Sequence, residues 1–350
     1  MSHILDDMNY IEARDRQGML KTVTAFPEYC EQALNLSIKL KIDVQRKKYK
    51  NIVILGMGGS AIGGALLRDW LQPICKIPII IIKQYTLPAF VDEDSLIFAV
   101  SYSGNTEETI SSMQEAINRQ ADVIIFSSGG LLGEYADKFN ISYYKFPTGF
   151  QPRAALPYQL FSLLLAAKNF GFIEEEWAEV NESLVILKQL RNELSPETSY
   201  EKNKAKQIAQ QLKGYIPFVY GSSIQESVAY RLNTQLNENS KTPSGSSYFP
   251  EAFHNAIMAR EADEDLLRKI CVILLIDPKD NPNIINKIER FWKLVEPRFG
   301  KVIKIYSLGE GRLSRILSLL YVGDFVSVYL GLLYGKDPST IDSINELKRK

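Results

Sequence analysis

A chain of 350 residues that is 45% hydrophobic can bury a large core, as two domains of ordinary size or one large one. Its 41 Lys and Arg balance 41 Asp and Glu, so no excess positive field recruits nucleic acid or a membrane surface, and a small molecule is the expected partner. Cys30, Cys75 and Cys271 are scattered with no C-x-x-C pair, which disfavours a disulfide frame or a zinc site and predicts a reduced, cytoplasmic setting.

Residues 1–50 begin MSHILDDMNYIEARD, without the basic and apolar regions of a secretory signal. Helical patterns run through them, with no interpretable chemistry, and His3 is expected in a mobile terminus. From residue 51 to 150, short Ile- and Val-rich runs (NIVILG, IPIIIIK, SLIFAVS, ADVIIFS, ISYYKF) alternate with helical stretches. Strands apolar on both faces belong to a parallel sheet covered by helices on either side. Residues 151–214 read as connecting helices, beginning with RAALPYQLFSLLLAAKNFG. A second strand series follows over residues 215–335 (YIPFVYGSS, KICVILLID, KVIKIYS), and a short helix is expected over 336–350. The expected class is therefore α/β with two related units in tandem. Both units open with a strand entering a Gly/Ser turn, which is weak support for a duplication. The run RILSLLYVGDFVSVYLGLLYG is long and apolar enough to suggest a membrane span, but Asp324 near its middle would cost about 2.5 to 3.5 kcal/mol there. A buried core helix is the expectation.

The first strand enters GMGGSAIGG. Gly56, Gly58 and Ala61 formally satisfy the dinucleotide fingerprint, but the second strand ends in Lys83 and Gln84 where an acidic residue should meet the ribose. A dinucleotide is thereby weakened, although Lys83 would suit a 2′-phosphate, and no Walker A loop is present. After the third strand, SYSGNTEET places Ser101, Ser103 and Thr106 around Gly104 where a helix begins, with Asn105 or Thr106 as its N-cap. Free backbone N–H groups and the helix dipole make such a turn a phosphate receptor without a basic side chain. Ser60 occupies the matching turn after the first strand, and adjacent parallel strands would bring the two turns together. Either loop alone could equally be an ordinary capped helix; the pair is less easily dismissed.

The combination of GMGGSAIGG with SYSGNTEET resembles the sugar isomerase (SIS) domain. The ordered set GFQPRAALPYQL, LNENSK, PEAFHNAI and GDFVSVYL is similar to the bifunctional phosphoglucose/phosphomannose isomerases within that superfamily, from about Asn51 to the C-terminus. The resemblance implies two SIS-type, doubly wound parallel-sheet (flavodoxin-like) αβα subdomains. It implies that Gly58, Gly59, Ser60, Ser101, Ser103 and Thr106 hold the substrate's phosphate and nearby hydroxyls, and that Arg153 reaches into the site. It matches Glu238 to the family's base and His254 to its ring-opening group. Lys348, in INELKRK, matches a lysine that reaches back from the last helix, with the alignment open by a residue or two. Ser339 or Thr340 would supply a hydroxyl near C2. Family members are in general dimers, so His254 is expected to complete the partner's site.

Interconverting an aldose and a ketose phosphate moves a proton between C1 and C2 through an enediol. A carboxylate near both carbons serves as base, and an imidazole, with an ordinary pKa of about 6.5, can donate or accept at the ring oxygen. A fixed positive charge stabilises the enediol oxygens. This chemistry needs neither metal nor redox cofactor. A noncatalytic SIS sensor would keep Ser60, Ser103 and Thr106 without needing Glu238 and His254, and an NADP-dependent reductase is a third reading.

Overall fold

The computed structural model describes residues 3–36, 48–174 and 176–348, the side chains of Ser223 and Lys348 excepted. The chain divides into two compact units, Pro27–Ala178 and Met1–Phe26 together with Glu179–Lys350.

The Pro27–Ala178 unit holds a five-stranded sheet of β1 (Asn51–Leu55), β2 (Ile79–Ile82), β3 (Ser95–Val100), β4 (Asp122–Ser127) and β5 (Ser142–Lys145). Its order is β2-β1-β3-β4-β5 and every pairing is parallel. All residues of β1 and β3 are buried, as expected for strands covered by helices on both faces. The strand order reverses between β1 and β3, so the crevice at their C-terminal ends is where a ligand site is expected in such a sheet.

The other unit holds β6 (Ile216–Gly221), β7 (Gly245–Tyr248), β8 (Ile270–Ile276) and β9 (Lys301–Tyr306), ordered β7-β6-β8-β9 and again parallel throughout. The first strand of each series is thus internal, with the second strand at the edge beside it. The sequence gives no sign of β7. Its GSSY is small and polar, and it is a strand because β6 templates it from Phe218↔Gly245 to Gly221↔Tyr248.

The long apolar run is the Arg312–Leu333 helix, whose membrane-like window is entirely buried within the protein. Asp324 is buried there and is met by Arg231 Nε and Nη2 at 3.0 and 2.7 Å and by Gln235 Nε2 at 3.1 Å. A buried carboxylate is tolerable when paired and hydrogen-bonded in this way.

His3 departs from expectation. Instead of lying in a mobile terminus, its ring stacks on Tyr200 at 3.9 Å and its Nδ1 accepts from Leu5 N at 3.2 Å. Residues 3–26 are fastened to the core helix by Tyr10 Oη donating to Leu332 O (2.8 Å) and Tyr321 Oη donating to Thr24 O (3.0 Å). The stretch read as a connector is shared, with the Leu156–Asn169 helix in the first-sheet unit and the Lys204–Leu212 helix in the other.

Candidate functional site

Two turns meet at the C-terminal ends of β1 and β3. The Gly58–Leu71 helix starts after Met57, and the Glu107–Asn118 helix after Thr106; neither start is capped by a side chain. Thr106 takes the predicted N-cap position, but its hydroxyl turns to Ser101 Oγ at 2.7 Å. Ser101 Oγ also accepts from Gly104 N at 3.1 Å, and the exposed Ser103 accepts from Asn105 N at 3.2 Å. Gly104 has φ +71°, and a Cβ there would fall 1.8 Å from Gly129 O, so only glycine lets the turn lie on the neighbouring loop. Leu131 N and Leu132 N brace it through Asn105 Oδ1 and Gly104 O, both at 3.0 Å.

Ser60 joins the turns by accepting from Tyr102 N at 3.1 Å. Tyr102 is a hub that sequence reading missed. Its carbonyl accepts from Ser128 N and Oγ at 2.9 and 2.7 Å. Its phenol donates to Pro147 O at 3.0 Å and accepts from Phe150 N at 2.9 Å. Burial raises the phenol's pKa, with the Phe150 N–H pulling the other way, so the group stays protonated and can serve as this clamp. The clamped segment leads to Arg153, which is buried. A Cβ on Gly59 would lie 3.1 Å from Arg153 Cα, Arg153 N and Pro152 O, so the missing side chain lets the 152–153 segment approach the helix start. Gly58, Gly59, Ser60, Ser101, Ser103, Thr106 and Arg153 all belong to this one unit. Together these turns offer hydroxyls and uncapped N–H groups, the chemistry of an anion site.

Glu238, His254 and Lys348 belong to the other unit. Glu238 lies near the end of the Glu226–Ser240 helix, which is keyed to the core helix by the Asp324 cluster and by Asn239 Nδ2 donating to Ser327 Oγ at 2.9 Å. Lys241, at φ +55°, ends the helix. Its Nζ donates to Glu238 O at 2.5 Å and to Thr340 O at 2.9 Å. The Thr340 backbone is therefore tied beside that of Glu238, whereas Ser339 is buried. His254 is exposed at the end of the Glu251–Phe253 turn, its N donating to Glu251 O at 2.9 Å. Lys348 closes the Asp342–Lys348 helix, and its side chain lies outside the described residues.

Residues 47–138 match the SIS domain family, and residues 201–350 match the bacterial phospho-glucose isomerase C-terminal SIS domain. A bifunctional phosphoglucose/phosphomannose isomerase of Caldicellulosiruptor bescii is 38% identical over 95% of this chain and 98% of its own length. The protein of the same description from Aquifex aeolicus is 38% identical over 86% of this chain and 90% of its own. Among solved structures, the C-terminal domain of glucosamine-fructose-6-phosphate aminotransferase from Francisella tularensis superposes with TM-score 0.72 at 16% identity, covering 92% of this chain and 98% of that one. That likeness is one of fold.

Proposed function

The chain belongs to the family of bifunctional phosphoglucose/phosphomannose isomerases, and from that premise we propose that it interconverts glucose 6-phosphate and mannose 6-phosphate with fructose 6-phosphate. The observation that carries this reading is the pair of hydroxyl-bearing turns linked through Ser60 Oγ and Tyr102 N at 3.1 Å. Their uncapped helix starts present N–H groups and positive dipole ends suited to a sugar's phosphate.

With the phosphate held, His254 delivers a proton to the ring oxygen as the anomeric hydroxyl loses one, and the C1–O5 bond breaks to give the open aldose. Glu238 then removes the C2 proton, electrons move onto the C1 carbonyl, and the enediol forms. Return of that proton to C1, with passage of the O2 proton to O1, yields the ketose. Lys348 stabilises the negative charge that develops on the oxygens. Glucose and mannose phosphates differ only at C2, and that difference vanishes in the enediol, so one base and one anchor suffice for both. The protein acts as a homodimer, in which His254 completes the partner's site; its exposure in the single chain supports this. A cytoplasmic setting is consistent with three free cysteines.

The test is a coupled assay with fructose 6-phosphate that scores glucose and mannose products separately, beside Glu238→Gln. Both products should form and be insensitive to chelators. The variant should lose on the order of 10²–10⁴ in kcat while still binding substrate. Undiminished turnover by Glu238→Gln would remove it as the base, and absence of the mannose product would reduce the protein to a single-epimer isomerase.

A further inference from the structure

The Leu156–Asn169 helix is apolar and buried, yet it carries Gln159, which is completely buried. The Gln159 amide lies 3.3 Å from Ser60 Oγ and 3.3 Å from the carbonyl oxygen of Pro152. A carbonyl only accepts, so the amide atom facing Pro152 must be the NH2 nitrogen, and the same nitrogen faces Ser60. Ser60 Oγ already accepts from Tyr102 N at 3.1 Å. Two donors therefore occupy both of its lone pairs, and its one hydroxyl proton has to point elsewhere, as a donor. At neutral pH a phosphate ester offers mostly acceptors, so a hydroxyl already confined to donating is pre-organised for it, whereas a freely rotating one must first be oriented.

Packing does not account for the amide. Gln159 Oε1 is buried and has no hydrogen-bond partner among the described residues, which is unfavourable compared with an apolar side chain of the same length. Its NH2 also joins the two parts of the cradle, since Pro152 immediately precedes Arg153. We propose that Gln159 is a positioning residue. It fixes the Ser60 hydroxyl as a phosphate donor and, through the Pro152 carbonyl, sets the Arg153 segment against the Ser60 turn. This rests on the reading of these turns as the phosphate site.

The experiment compares Gln159→Leu, Gln159→Met, Ser60→Ala and Ser60→Ala/Gln159→Leu by steady-state kinetics with fructose 6-phosphate, by inhibition with inorganic phosphate, and by thermal denaturation. Gln159→Leu should raise KM and the phosphate inhibition constant about tenfold, and lower kcat no more than about threefold, as expected for losing one oriented hydrogen bond to a charged group. Gln159→Met should behave alike, and it replaces the Leu variant if that one does not fold. In the Ser60→Ala background the Gln159 change should cost clearly less than in the wild type, because the part of its effect that passes through Ser60 is already lost and only the hold on the Pro152 carbonyl remains. An unchanged KM in the Gln159 variants, or equal losses with and without Ser60, overturns the proposal. An unchanged KM in Ser60→Ala would instead overturn the phosphate site itself.

Discussion

At the scale of single residues, much of the cradle depends on what is missing. Gly59 has no side chain because three backbone atoms of Pro152 and Arg153 stand 3.1 Å from where its Cβ would be. Gly59→Ala should push the 152–153 segment away from the Ser60 turn. Overpacking of this kind costs about 1–3 kcal/mol, so the melting temperature should fall and KM for fructose 6-phosphate should rise more than kcat falls. Wild-type values for both would show that the close approach is unimportant. The Gly, Ser and Thr residues of the two turns were legible in the sequence because their spacing sits at strand ends. Tyr102 and Gln159 were not, since an aromatic beside a serine and an amide within an apolar helix look like ordinary core. Only their partners disclose a role.

At the scale of elements, the start of the core helix is held by carboxylates from the Trp177–Leu194 helix. Glu182 accepts from Glu310 N at 2.6 Å and Gly311 N at 2.8 Å, and Glu179 accepts from Leu313 N at 2.9 Å. Negative charge at a helix N-terminus satisfies orphan N–H groups and opposes the dipole. Burial alone would raise the Glu182 pKa, but the Glu310 and Gly311 N–H groups, the Ser314 hydroxyl and the Lys279 charge together hold it below the ordinary glutamate value. A carboxyl lowered on folding contributes its stability above the unfolded pKa and loses it as pH falls through the folded value. Glu182→Ala should therefore cost about 1 kcal/mol near neutral pH. The melting-temperature gap to wild type should narrow progressively as pH falls below the ordinary glutamate value of about 4.3. A gap independent of pH would mean that the side chain acts through packing and not through charge. The core helix was visible as an apolar run, but its caps come from residues more than a hundred positions earlier, which no local pattern reveals.

At the scale of the whole molecule, the proposed exchange of His254 between protomers can be tested by complementation. Glu238→Gln and His254→Ala should each be nearly inactive alone. In an equal mixture that exchanges subunits, half the dimers are mixed, and each mixed dimer has one site with both intact groups, so activity should return to about a quarter of wild type. If both groups serve the same chain, mixing restores nothing. Light scattering on the purified protein should report a dimer; a catalytically active monomer would contradict the exchange.

The sequence by itself determined the α/β class, eight of the nine strands found among the described residues and the hydroxyl-bearing turns, because burial on both faces, strand length and helix-start chemistry are local and leave a local pattern. The tertiary structure decided which strand templates β7, which carboxylates cap the core helix, and which donors govern the Ser60 hydroxyl. Those outcomes depend on groups distant in the chain satisfying one another's hydrogen bonds, and a buried polar atom acquires its partner only when the chain has folded.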